Sequence, residues 1–189
     1  KSPVISFEDF SFQYRAQKKP TLTGINLNIY PGEKVLIAGP SGSGKSTLAG
    51  CINGLNPFSN PGESTGKLIV DGVDAMQSSI FELSAHVGTV LQDPDGQFIG
   101  LTVGEDIAFA LENSCTPQDK MHEITKHAAE LVGIEHHLDY APHELSGGQK
   151  QRLLITRALA KHPQILVLDD SSSALDYATD ARLRRAIQE

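Results

Sequence analysis

The sequence of 189 residues has two cysteines, Cys51 and Cys115, and no Cys-x-x-Cys pair. That argues against a disulfide framework or a zinc site and fits a reducing compartment. No apolar run approaches the roughly 20 residues needed to span a bilayer, and no signal peptide opens the chain. A role at a membrane therefore needs a partner. Basic charge is also scarce: 16 Lys and Arg against 23 Asp and Glu give a net charge of -7. This balance opposes a broad electrostatic grip on nucleic acid and leaves room only for a local basic patch. Internal repeats and low-complexity segments are missing as well. What remains is 39% hydrophobic and 21% charged, ordinary for a folded domain of a length that can bury a sizeable core.

Strand and helix patterns alternate along the chain. Residues 4–14 are rich in Phe and Tyr and read as a strand, as do the alternating Ile25-Asn26-Leu27-Asn28-Ile29 and the segment 68–72, which enters a turn. Val35-Leu36-Ile37-Ala38, bounded by Gly39, reads as a buried parallel strand. A helix is predicted from Lys45 to about Asn53-Gly54. After a strand over 87–91, residues 103–113 and 120–132 carry helical apolar spacing, punctuated by Gly133 and Pro142. The region near 93–145 thus reads as a helical insertion. Helices over 147–161 and 177–188 flank a second buried strand, Ile165-Leu166-Val167-Leu168.

Three motifs carry chemistry. In Gly39-Pro40-Ser41-Gly42-Ser43-Gly44-Lys45-Ser46-Thr47, glycines let successive N–H groups turn inward on a phosphate. The helix that follows presents its positive end to the same anion. Lys45 is expected on the β- and γ-phosphates of a nucleotide and the Ser46 hydroxyl on Mg²⁺. The bland alternative is a Gly/Ser-rich turn with a stray lysine. Second, Asp169 ends an apolar strand, where a carboxylate can hold a water of the hard Mg²⁺ ion. Third, Leu145-Ser146-Gly147-Gly148-Gln149 places a helix-capping Ser146 before two glycines that let backbone approach an anion. A plain capped helix explains this last motif equally well.

The order of these motifs, ending in Ser173-Ala174-Leu175-Asp176, resembles an ABC-type ATPase over nearly the whole chain. The resemblance implies an α/β P-loop NTPase: a RecA-like core with an antiparallel β subdomain and a helical subdomain. It implies one domain over 1–189, with 1–92 and 146–189 as the ATP-binding core and about 93–145 as the helical part. It further implies a head-to-tail dimer with two ATP molecules between subunits, each phosphate loop facing the other subunit's Ser146, Gly147, Gly148 and Gln149. Tyr14 resembles the aromatic that stacks on adenine, with a core strand aromatic as the alternative. Gln92 resembles the glutamine that senses Mg²⁺ and the attacking water and links the site to the membrane partner. Asp176 resembles an aspartate that communicates across the dimer, and also suits a helix N-cap.

The stretch Gln92-Asp93-Pro94-Asp95-Gly96-Gln97-Phe98-Ile99-Gly100-Leu101-Thr102-Val103, with the ten residues after it, is similar to energy-coupling-factor transporter ATPases, motors for uptake of vitamins and of cobalt or nickel ions. The C-terminal part departs from that pattern: Asp169-Asp170-Ser171-Ser172 is closer to ABC exporter motors. Asp170 stands where the family has a glutamate general base and is one methylene shorter, so slow hydrolysis is expected. The family's switch histidine, some 30 residues beyond Asp176, has no counterpart before Glu189, and the chain reads as truncated. All seven histidines precede Asp170, and His136-His137 lacks a third metal ligand at suitable spacing.

These readings converge on a MgATP-binding motor subunit of an importer at the cytoplasmic face of a membrane. Its expected partners are a membrane-embedded subunit and a second ATPase subunit, with no nucleic acid. A hydrolysis-poor ATP-dependent dimer clamp, or a soluble ABC protein outside transport, are the alternatives.

Overall fold

Aromatic side chains decide how the first strand sits. In the computed structural model, which describes residues 2–91, 96–112 and 114–169, β1 spans Ile5–Tyr14. Ile5 and Phe7 point into the core, as do Phe10 and Phe12, so the inward parity changes from odd to even along one strand. A period of two cannot do this without an inserted residue. The register slips between Phe7 and Phe10 against β2 (Leu22–Ile29) and between Glu8 and Ser11 against β3 (Gly62–Val70). Asp9 takes the strain at φ 45°. Opposite it lies Gly66, where a Cβ would overlap the Asp9 carbonyl. The incomplete alternation of residues 4–14 is this bulge seen in the sequence.

The sheet is antiparallel in the order β2-β1-β3-β4, with β4 the short Val73–Asp74. Helix α1 (Lys45–Asn53) buries Leu48, Cys51 and Ile52, and these join Phe7, Phe10, Phe12, Leu68 and Val70 in one core. Cys51 is sealed there, and loss of solvent pushes its thiol up to about 12, with the hydrogen bond from Asn56 pulling modestly the other way. The irregular α2 (Leu55–Phe58) follows, with Asn56 outside helical geometry. The short α3 (Ile80–Leu83) is capped by Ser79, whose Oγ accepts from the Glu82 amide.

Two compact units are present: residues 1–88 with 163–167, and residues 89–162 with 168 onward. The second contains α4 (Val103–Glu112), α5 (Gln118–Val132) and α6 (Gly147–Leu159), packed pairwise around Val103, Ile107, Leu111, Ala129, Ile134 and Leu153. Strands β5 (Val87–Val90) and β6 (Ile165–Leu168) pair with each other. The Ile165 amide donates to the His86 carbonyl (3.1 Å) and the Asp169 amide to that of Val90 (2.9 Å). The two ladders advance in step, as parallel strands do.

The strand expected at residues 35–38 is not one. Val35, Leu36 and Ile37 are 49%, 89% and 40% exposed and form no strand. A short apolar run specifies a preference for burial, whereas a strand also needs a neighbour with free N–H and C=O groups. Among the described residues the two sheets give this run no place. The second run, β6, does pair, but only Ile165 is buried and Leu168 is 39% exposed. The helix expected over 177–188 lies outside the described residues.

Candidate functional site

The loop at residues 39–43 is exposed, Gly44 is half-buried, and the turn is built from backbone rather than side chains. Gly42 and Gly44 sit at φ 78° and 94°, where only glycine rests without strain. The Ser43 amide donates to the Pro40 carbonyl at 3.2 Å and tightens the turn. Gly44 then begins α1 with no side-chain cap, and the first turn carries no acidic residue. The leading amides of α1 thus keep their unmet donor capacity and their positive end. Lys45 is folded back over the loop, its Nζ donating to the carbonyls of Gly39 and Pro40 at 2.9 Å each. A Cβ on Gly39 would lie 2.7 Å from the Ser43 Oγ, so a side chain there would force Ser43 to turn away. Open backbone, an uncapped helix start and a lysine with a third proton suit a phosphate group.

Ser46, exposed, and Thr47, 7% exposed, follow on α1. Tyr14 ends β1. Its hydroxyl donates to the Thr47 Oγ1 at 3.1 Å, and its ring meets Phe12 edge-on with centroids 5.1 Å apart. The sequence reading gave Tyr14 a ring role alone; its hydroxyl is engaged as well.

The second unit holds the other motif. Leu145 is buried and anchors the entry to α6. Ser146 caps that helix: its Oγ accepts from the Gln149 amide (3.4 Å), while Gln149 Oε1 accepts from the Ser146 amide (2.8 Å). This reciprocal pair is the capping box. Gln149 Nε2 also meets His137 Nε2 at 2.9 Å. A Cβ on Gly147 would meet nothing within 4 Å. Internal packing therefore does not explain that glycine, whereas the approach of an outside group would. Asp169 stands directly after β6, at a strand end as expected. Gln92, Asp170 and Asp176 lie outside the described residues.

Three arrangements went unread in the sequence. Asp106 is fully buried on α4. Its Oδ1 accepts from the amides of Ile99 (2.6 Å) and Gly100 (3.0 Å), and its Oδ2 from Arg157 Nη1 (3.2 Å) on α6. Arg157 donates also to the Gln97 carbonyl. Next to it, Glu105 Oε2 accepts from the amides of Leu101 and Thr102, and Thr102 Oγ1 accepts from the Glu105 amide. The signal was available: Asp106 occupies a core-facing slot in the stripe Val103, Asp106, Ile107, Ala110, Leu111. Asn56, 1% exposed, binds Tyr14 and Thr47, and no local pattern marks it. His86 Nδ1 lies 2.6 Å from Asp71 Oδ2, a pairing across distant sequence.

The profile of a family described as ABC transporter matches residues 22–173. Proteins provisionally named ABC transporter ATP-binding proteins are similar: one from Clostridium perfringens at 55% identity over 93% of this chain, and one from Staphylococcus aureus at 55% over 94%. The chain spans only 31% of the length of each. Among solved structures, CbiO1 of Clostridium perfringens, described as part of the ABC transporter complex CbiONQ, superposes with a TM-score of 0.81 at 31% identity, over 99% of this chain and 73% of that one. An ATP-binding cassette solved as a dimer in a post-hydrolysis state with ADP and phosphate gives 0.81 at 27% identity, over 97% and 81%.

Proposed function

The chain belongs to the ABC transporter family, and we propose from that premise that it is the ATP-binding motor subunit of an energy-coupling-factor-type importer. The observation that carries the reading is the phosphate cradle itself, with Lys45 held over the Gly39 and Pro40 carbonyls at the uncapped start of α1. The likeness to CbiO1 supports the importer branch.

In this reading residues 39–47 bind the triphosphate of ATP and Lys45 leaves its loop carbonyls for phosphate oxygens, trading neutral acceptors for charged ones. The residues present fit Mg²⁺ in kind: the Ser46 hydroxyl and the Asp169 carboxylate are the oxygen donors this ion takes. When bound, the ion would neutralise charge on the transferring phosphoryl group. Tyr14 faces adenine, Gln92 orients the attacking water, and Asp170 accepts its proton. Ser146, Gly147, Gly148 and Gln149 serve the ATP of a second ATPase subunit, and Gly147, with open space where a Cβ would sit, suits that approach. No described helix is long and apolar enough to cross a membrane. In this reading the motor acts through a membrane-embedded subunit at the cytoplasmic face, with no nucleic acid as partner.

Asp170, where the family has glutamate, favours a second reading: an ATP-dependent dimer clamp with little hydrolysis. One sample separates the two. Light scattering on the full-length protein should show ATP-dependent self-association, and phosphate release measured in parallel should show turnover. Association with no turnover leaves the clamp. Neither association nor turnover, in a sample that binds ATP, counts against both. Co-purification with a membrane subunit tests the transport assignment.

A further inference from the structure

We propose that Asn56 and the Tyr14 hydroxyl are positioning residues for the phosphate loop, fixing Thr47 at the start of α1 so that its hydroxyl is presented as a donor to phosphate. This rests on the reading of residues 39–47 as an ATP site. The Asn56 amide is heavily engaged: Nδ2 donates to the Thr47 carbonyl (3.1 Å) and to the Tyr14 hydroxyl (3.2 Å) and lies against the Cys51 thiol, and Oδ1 accepts from Asn60 Nδ2 (3.0 Å). Having accepted from Asn56, Tyr14 donates its own proton to Thr47 Oγ1 (3.1 Å). A hydroxyl whose oxygen accepts from Tyr14 must turn its own proton elsewhere. Thr47 lies two residues after Lys45, in the first turn of α1.

The site is built to hold this amide. Asn56 is 1% exposed. A Cβ on Gly50 would come within 2.5 Å of Asn56 Nδ2 and 3.0 Å of its Cγ, so α1 carries glycine where the amide presses against it. Asn56 itself adopts extended torsions, φ -109° and ψ 125°, and leaves helical geometry to make these contacts. Buried networks of this kind hold their members in one arrangement when each is satisfied. Here one end of the network is the backbone and side chain of a residue adjoining the cradle.

A ring that only stacks on adenine predicts that Tyr14→Phe changes little. A hydroxyl that positions the loop predicts weaker binding of any triphosphate, with or without a base. The test is calorimetric titration of the full-length protein with MgATP and with magnesium tripolyphosphate, for wild type, Tyr14→Phe and Asn56→Asp. Tyr14→Phe should weaken both ligands by the same factor, about fivefold for one hydrogen bond, and Asn56→Asp by at least as much. Urea unfolding of each variant accompanies the titration. A role in stability alone would shift the urea midpoint and leave the affinity of the folded protein unchanged, overturning the proposal. So would a loss for MgATP without a loss for tripolyphosphate. If Asn56→Asp does not fold, Tyr14→Phe decides alone. If the wild type binds neither ligand, the ATP-site reading fails and this inference falls with it.

Discussion

Arg157→Ala is expected to destabilise the helical unit by about 3–5 kcal/mol, the cost of leaving a buried charge without its partner. Asp106 has no exposed side-chain surface and Arg157 only 19%. Their contact at 3.2 Å is therefore little screened by solvent, unlike a surface pair. With the guanidinium gone, the carboxylate keeps the amides of Ile99 and Gly100, which offset part of its desolvation but carry no full charge. Asp106→Asn in the Arg157→Ala background should recover part of the loss, because a neutral side-chain carbonyl still accepts from those amides without burying a charge. Urea unfolding with unchanged slope reads both values. An Arg157→Ala protein within about 1 kcal/mol of wild type, the ordinary effect of a point change, would contradict the account of this pair.

Asp170→Glu is expected to raise phosphate release by about tenfold or more while leaving ATP affinity unchanged. Phosphoryl transfer depends on positioning, and a displacement of about 1 Å can cost roughly a hundredfold. If Asp170 is the general base, as proposed, a carboxylate one methylene short should reach the attacking water poorly, and adding the methylene should restore reach. Single-turnover phosphate release, with ATP binding measured on the same protein, separates the chemical step from affinity. An unchanged or lower rate at unchanged affinity would show that the length of this side chain does not limit hydrolysis.

What could be read in the sequence follows the range of each interaction. The glycine-rich turn before α1 and the Ser146 cap are local, and the helices begin where expected, α1 at Lys45 and α6 at Gly147. Helices α4 and α5 were legible because their apolar spacing repeats over several turns. Residues 35–38 show where local reading stops. Their hydrophobicity is plain, but pairing depends on strands elsewhere in the chain. The bulge at Asp9, with a further slip against β2 between Phe10 and Phe12, blurred the alternation of this strand. The Asn56–Tyr14–Thr47 network links residues 9, 33 and 42 positions apart, and Asp106–Arg157 spans 51. No motif announces such pairs, although a carboxylate in the apolar stripe of α4 was a clue to the second.

Residues 39–47 are proposed to cradle the triphosphate of ATP. Equilibrium titration of MgATP into the full-length protein, beside Lys45→Ala, tests this most directly. The wild type should bind saturably. Affinity should fall roughly ten- to hundredfold in the variant, the worth of a charge-assisted hydrogen bond, with the fold preserved because the Lys45 hydrogen bonds among the described residues go to loop carbonyls. Failure of the wild type to bind, or equal binding by Lys45→Ala, would contradict the proposed cradle.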